Sequence, residues 1–125
     1  MAGRLDESMP IYVQIMNHIR RQVVSGRLKP EDRMPSVREL AAEFGVNPNT
    51  MQRALSELER EKLLCSERTS GRFVTKDADL IQKLRIREAD KAAAAFQHQM
   101  EALGFSMEDA VDFFLRRTEK EVKVG

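Results

Sequence analysis

The stretch Ser36-Val-Arg-Glu-Leu-Ala-Ala-Glu-Phe44-Gly-Val-Asn47-Pro-Asn-Thr-Met-Gln-Arg-Ala-Leu55-Ser-Glu-Leu58 contains two helix starts separated by a glycine turn. Ser36 and Glu39 have capping-box spacing: the hydroxyl can accept from the Glu39 N–H while the carboxylate reaches back to the cap N–H. The helix opened there runs to about Phe44 and carries Val37, Leu40, Ala41 and Phe44 on one face. Gly45 can supply the positive φ of a sharp turn, and Val46 would plug the angle between two helices. Asn47 is a good cap and Pro48 a good first helical residue. The next helix therefore starts at that point. Its stripe is Met51, Ala54, Leu55 and Leu58, and it should extend to about Lys62.

Upstream, Ser8 reads as an N-cap with Pro10 in the opening turn, and Ile11, Ile15, Ile19 and Val23 recur at helical spacing until Gly26. Residues 28–35 contain Pro30 and Pro35 and form a connector that cannot be helical throughout. Downstream, Leu63–Ser66 and Arg72–Thr75 are strand-like and bracket Glu67-Arg-Thr-Ser-Gly71, which predicts a hairpin with a basic tip. Beyond Lys76 the character changes. A glycine- and proline-free run predicts one helix from Ala78 to Leu103, with Ile81, Leu84, Ala89, Ala92, Phe96, Met100 and Leu103 on its apolar face. Gly104 closes it, and Ser106-Met-Glu-Asp109 starts a short helix whose last residues should fray. The expected fold is mostly α with a small β-wing. It comprises an N-terminal winged helix-turn-helix (residues 1–76) followed by a short α-helical dimerisation region (residues 77–125).

Composition narrows the function classes. A chain of 125 residues, 42% hydrophobic and 33% charged, fits one or two small globular domains. No apolar run approaches the roughly 20 residues that span a bilayer, and the first residues lack a signal-peptide pattern. The expected location is the cytoplasm, with no membrane partner. The single cysteine, Cys65, excludes an internal disulfide, and with His18 and His98 it makes no zinc-ligand spacing, so neither metal nor cofactor is expected. Net charge is only +1, but residues 1–76 hold 13 Lys/Arg against 10 Asp/Glu and the remainder 8 against 10. That asymmetry points weakly to nucleic acid at the N-terminal end.

A helix, a tight turn, a second helix with a polar first turn and then a hairpin is the order of a winged helix-turn-helix. The second of the paired helices must bury one face while its first residues reach base edges in the major groove. Asn49, Gln52 and Arg53 lie off the buried stripe and are of the types that pair with adenine or guanine. Arg68, Thr69, Ser70, Gly71 and Arg72 offer cations, hydroxyls and close backbone to phosphates. A winged helix that docks on protein instead is a second reading. It calls for an apolar or acidic outer face, which Asn49, Gln52 and Arg53 do not make. For an enzyme, no nucleophile–base pair, acidic pair, phosphate loop or metal cluster appears.

Arg33-Met-Pro-Ser-Val-Arg-Glu-Leu-Ala41 resembles the opening signature of the GntR superfamily of bacterial regulators. Val46-Asn-Pro-Asn-Thr-Met-Gln-Arg-Ala-Leu55 and Gly71-Arg-Phe-Val74 resemble its recognition helix and wing. The blocks occur in family order, and the resemblance covers Pro10 to about Thr75. The Asn-Pro-Asn-Thr start and a tail of about 50 residues look like the YtrA-type subfamily. Many other GntR-type proteins have arginine where Pro48 and Gln52 stand, so contacts made by those arginines do not carry over. Glu31 and Lys62 stand where glycine is usual and should cost φ flexibility rather than the fold. The resemblance implies a helical dimerisation region, a palindromic operator often controlling a transporter operon, and transcriptional control, here expected to be repression. It assigns Arg38 to DNA and leaves a small-molecule effector open.

The expected DNA-facing set is thus Ser36, Arg38, Asn47, Asn49, Thr50, Gln52, Arg53, Arg68, Gly71 and Arg72. Plainer roles compete with it. Arg38 could pair with Glu39, Glu43 or an acid of the connector, and Arg53 with Glu57 four residues on. Thr50 could pack. Cys65 reads as a buried small hydrophobe, His18 and His98 as packed or exposed side chains, and Met51, Met100 and Met107 as core fillers. The tail carries more apolar stripe than the small N-terminal domain can cover. A C2 homodimer is therefore expected through Ile81, Leu84, Phe96, Met100, Phe113, Phe114 and Leu115.

Overall fold

In the computed structural model, which describes residues 8–124, the elements follow in the order α1 (Ile11–Val24), α2 (Val37–Phe44), α3 (Pro48–Arg60), β1 (Leu64–Glu67), β2 (Gly71–Val74), α4 (Ala78–Ala102) and α5 (Met107–Val124). The chain divides into two compact units, residues 1–85 and 86–125.

In the first unit, α1 buries Ile15, Met16, Ile19 and Val23 along one stripe. Its N-cap is Pro10, not Ser8. Pro10 lies in the extended region with φ −55° and ψ 142°, and its carbonyl accepts from the N–H groups of Val13 and Gln14. Proline has no side-chain acceptor to offer as a cap, and Gln14 Nε2 donates to the Met9 carbonyl at 2.9 Å beside this end. The capping box of α2 forms as spaced: Ser36 Oγ accepts from Glu39 N at 3.1 Å and Glu39 Oε1 from Ser36 N at 3.2 Å. Gly45, at φ +68°, ends α2, and the Val46 N–H returns to the Ala41 carbonyl at 3.0 Å. That is the Schellman geometry, which turns the chain within two residues. Asn47 Oδ1 then caps α3 by accepting from Asn49 N at 2.7 Å.

Met51, Ala54, Leu55 and Leu58 are fully buried, which seats α3 against α1, α2 and β1. The helix ends at Arg60, earlier than Lys62, because Lys62 takes φ +67° and directs Leu63 back into the core. Strands β1 and β2 pair antiparallel, with Leu64 opposite Val74, Cys65 opposite Phe73 and Ser66 opposite Arg72. The 28–35 connector adds a rung that its two prolines did not announce. Met34 N donates to Arg72 O at 2.8 Å, Val74 N to Asp32 O at 2.9 Å, and Arg33 bridges Phe73. Strand β2 is therefore central, with both edges satisfied, which fixes the base of the wing.

Two further expectations change in this unit. Cys65 is exposed rather than buried. Leu64 points into the core, so strand alternation turns the next side chain outward. Ile81 is buried at 7% exposure in the same core and Leu84 packs against it. Both were expected at a dimer contact. Within one chain they cover the apolar edge of their own unit, and Asp77, whose carboxylate accepts from Leu80 N at 3.1 Å, sets the start of α4 that places them.

In the second unit, Gly104 at φ +92° ends the turn after α4, and Ser106 Oγ caps α5 by accepting from Asp109 N at 3.1 Å. Ala110 is fully buried and Met100 nearly so. Phe96 meets Phe114 edge to face at 5.9 Å, and Phe105 meets Phe113 at 5.8 Å. Helix α5 has 18 residues and continues through Val124, longer than its sequence suggested. The Asp112–Arg116 and Arg117–Glu121 pairs, one turn apart at 2.9 and 3.0 Å, support that extension.

Candidate nucleic-acid interface

The first turns of α2 and α3 and the wing carry the candidate residues. Arg38, the second residue of α2, is exposed, and its guanidinium has no hydrogen bond or ion pair among the described residues. Of the acids that could have paired with it, Asp32 accepts instead from Lys29 N at 2.9 Å. Glu39 is held by the Ser36 N–H and hydroxyl, which lower its carboxyl below the ordinary carboxylate range, with Arg33 adding a smaller effect. Arg38 therefore projects from a turn whose backbone is already closed by reciprocal hydrogen bonds.

On α3, Asn49, Gln52 and Arg53 are exposed beside the buried Met51, Ala54 and Leu55. Asn47 uses its amide oxygen for the cap, which leaves its NH2 group for any outside acceptor. Thr50 is half-buried. Gln52 Nε2 donates to Ser56 Oγ at 2.9 Å, a weak tether on an exposed surface. Arg53 does not pair with Glu57. Its guanidinium carbon lies 3.9 Å from the centroid of the Tyr12 ring, so the cation is stacked rather than ion-paired. Such stacking orients the charge without neutralising it.

The wing tip exposes Arg68, Thr69 and Ser70. Gly71 has φ +105°, which calls for glycine; a Cβ there would meet only the flexible end of the Arg33 side chain, at 3.3 Å. Arg72 departs from the expected outward cation. Its Nε donates to Glu59 Oε1 at 2.5 Å, and its side chain is only 16% exposed. The hairpin register explains this. Arg72 stands opposite Ser66 on the face that meets the end of α3, where Glu59 also accepts from Ser66 Oγ at 2.9 Å.

A groove between the start of α2 and the wing is lined by Arg33, Ser36, Glu39, Ser66, Gly71 and Arg72. Arg33 and Tyr12 were not anticipated as contributors. Alternation of Arg33 with the buried Met34 was a usable signal for Arg33. Tyr12 carried none, since its role depends on how α1 crosses α3. His18 packs edge to face on Phe44 at 5.2 Å, and burial first, then Arg21, lowers its basicity. Of the residues expected at a dimer contact, Met100 is largely consumed within its own unit, whereas Phe113, Phe114 and Leu115 remain about half exposed. Among the described residues no helix is long and apolar enough to cross a membrane, and no three His, Cys, Asp or Glu side chains are grouped to hold a metal ion.

Comparison with known proteins agrees with this geometry. A family described as "Bacterial regulatory proteins, gntR family" matches residues 11–74. The HTH-type transcriptional repressor YtrA of Bacillus subtilis is 42% identical over 71 residues, covering 57% of this chain and 55% of YtrA. A GntR family transcriptional regulator from Listeria monocytogenes superposes with a TM-score of 0.80 at 35% identity, over 90% of this chain and 98% of that one. The AraR DNA-binding domain, solved in complex with operator ORX1, gives a TM-score of 0.52 at 33% identity, over 60% of this chain and 92% of its own. The chain belongs to the GntR family and is a DNA-binding transcription regulator of the winged helix-turn-helix class.

Proposed function

We propose that this chain represses transcription as a homodimer on a palindromic operator. In this reading Arg38 is its principal DNA anchor, Asn49 and Gln52 are base readers, and Arg53 and the wing tip provide supporting cations. The observation that carries the reading is the unpaired Arg38 guanidinium on a turn pre-closed by the Ser36–Glu39 box. Little conformational entropy is left to lose there when a phosphate or guanine is gripped. Two copies would place two such units on two half-sites, which adds affinity and imposes palindromic symmetry. The exposed faces of α5 supply a route to pairing: Val111, Phe114 and Leu115 lie on one side at 45, 46 and 54% exposure. Carboxylates at Asp112 and Glu121 are tied to arginines on the same helix, so an apolar contact need not desolvate a lone charge.

The test is titration of the whole chain against duplexes that either contain or lack an inverted repeat selected by the protein itself. Tight, salt-dependent binding confined to the repeat supports the reading, and equal affinity for both duplexes refutes it. Equilibrium sedimentation on the same preparation should give twice 14.3 kDa. A monomer at tens of micromolar would remove the dimer from the proposal.

A further inference from the structure

Glu59 lies at the end of the recognition helix, away from the first turn where bases are read. Its Oε1 accepts two hydrogen bonds, from Arg72 Nε at 2.5 Å and from Ser66 Oγ at 2.9 Å. Ser66 and Arg72 are register partners on β1 and β2, so one carboxylate oxygen ties both strands of the wing to α3. Elsewhere α3 and β1 come together in the core, where Leu58 of the helix and Leu64 of the strand are both buried. Glu59 and Arg72 are 28 and 16% exposed, so water weakens this contact less than it weakens the pairs on α5, whose side chains are 57 to 76% exposed.

We infer that Glu59 is a positioning residue: it sets the attitude of the wing relative to the base-reading turn, and so sets selectivity for the operator. The inference rests on the DNA-binding reading above. Operator binding requires base readers and wing tip to engage one DNA geometry together. Non-specific binding needs only cations near phosphates and tolerates many wing positions. Arg72 acts here through Glu59 rather than through DNA. A wing freed from Glu59 therefore loses operator affinity while its affinity for bulk DNA persists.

The experiment compares wild type with Glu59→Gln, Arg72→Ala and the double variant on a self-selected operator and on a random-sequence duplex of equal length. Glu59→Gln should weaken operator binding about tenfold, the equivalent of one charge-assisted hydrogen bond, and leave the random duplex within about twofold. In the Arg72→Ala background the same substitution should change operator binding less than about twofold. Parallel loss on both duplexes would mean a merely structural carboxylate, and no loss on either would mean no coupling. An undiminished effect without Arg72 would mean general charge. Each of these overturns the inference. Glu59→Asp keeps the charge but shortens its reach, and should give an intermediate loss. Failure of the wild type to prefer its selected operator would instead strike the underlying reading.

Discussion

If Arg38 anchors the operator as proposed, replacing it with alanine should separate recognition from folding. The side chain is exposed and makes no hydrogen bond or ion pair among the described residues. Its loss should therefore change stability by no more than about 0.5 kcal/mol. Two small effects favour the variant: alanine is the better helix former, and a cation leaves the positive end of α2. For a domain of this size that corresponds to a Tm within about 4 °C of wild type. A bidentate arginine contact contributes about 1–3 kcal/mol of discrimination, and a dimer on a palindrome loses it twice, about 2–6 kcal/mol in all. Operator affinity should thus fall by a factor of about 30 or more, which removes nearly all specific binding. Arg38→Lys, which keeps the charge but not the planar fork, should lose a large part of it. Melting and fluorescence-anisotropy titration are measured on one preparation. A Tm lowered by more than about 5 °C with operator binding retained at low temperature would refute the reasoning and mark Arg38 as structural.

Other expectations rest on equally local geometry. Glu31 and Lys62 sit at φ +70° and +67°, so Glu31→Gly and Lys62→Gly should each raise stability by up to about 1 kcal/mol, and a lowered Tm would contradict this. Gly71→Ala forces a Cβ onto a φ of +105°, while the Arg33 side chain nearby can shift, and should cost about 1–2 kcal/mol in thermal unfolding. Leu115→Asp, at a half-exposed site, should shift sedimentation toward the monomer without unfolding the N-terminal unit. The Glu39 carboxyl is lowered from its ordinary 4.5 by Ser36, so the unfolded chain binds its proton more readily. Its contribution is full above that value and is lost as pH falls through the lower folded pKa. Glu39→Gln should flatten that part of the acid-stability curve.

The helix pair was legible because each of its signals is local. The Ser36–Glu39 spacing, Gly45 and Asn47-Pro48 specify caps and a turn within a few residues, and all of them appear as bonds or dihedrals. Glu31 and Lys62 were legible in another sense: where glycine is usual, the backbone does take positive φ. What escaped depends on partners distant in sequence. The rung between the connector and β2 joins residues about forty apart, and no local pattern marks it. Arg72 read as a free cation because its partner, Glu59, is set by the hairpin register and the end of α3 together. Ile81 and Leu84 lie on an apolar stripe, but periodicity does not say whether a stripe faces its own domain or a second copy.

Selection of bound sequences from a pool of randomised duplexes by the whole chain tests most directly the claim that it reads DNA as a paired winged helix-turn-helix. The account predicts enrichment of an inverted repeat whose half-site centres lie about 10 base pairs, or a multiple of that, apart. It also predicts that Gln52→Ala relaxes the preference at particular positions within each half. A pool that remains random, or that converges on a single unrepeated half-site indifferent to Gln52, would contradict it.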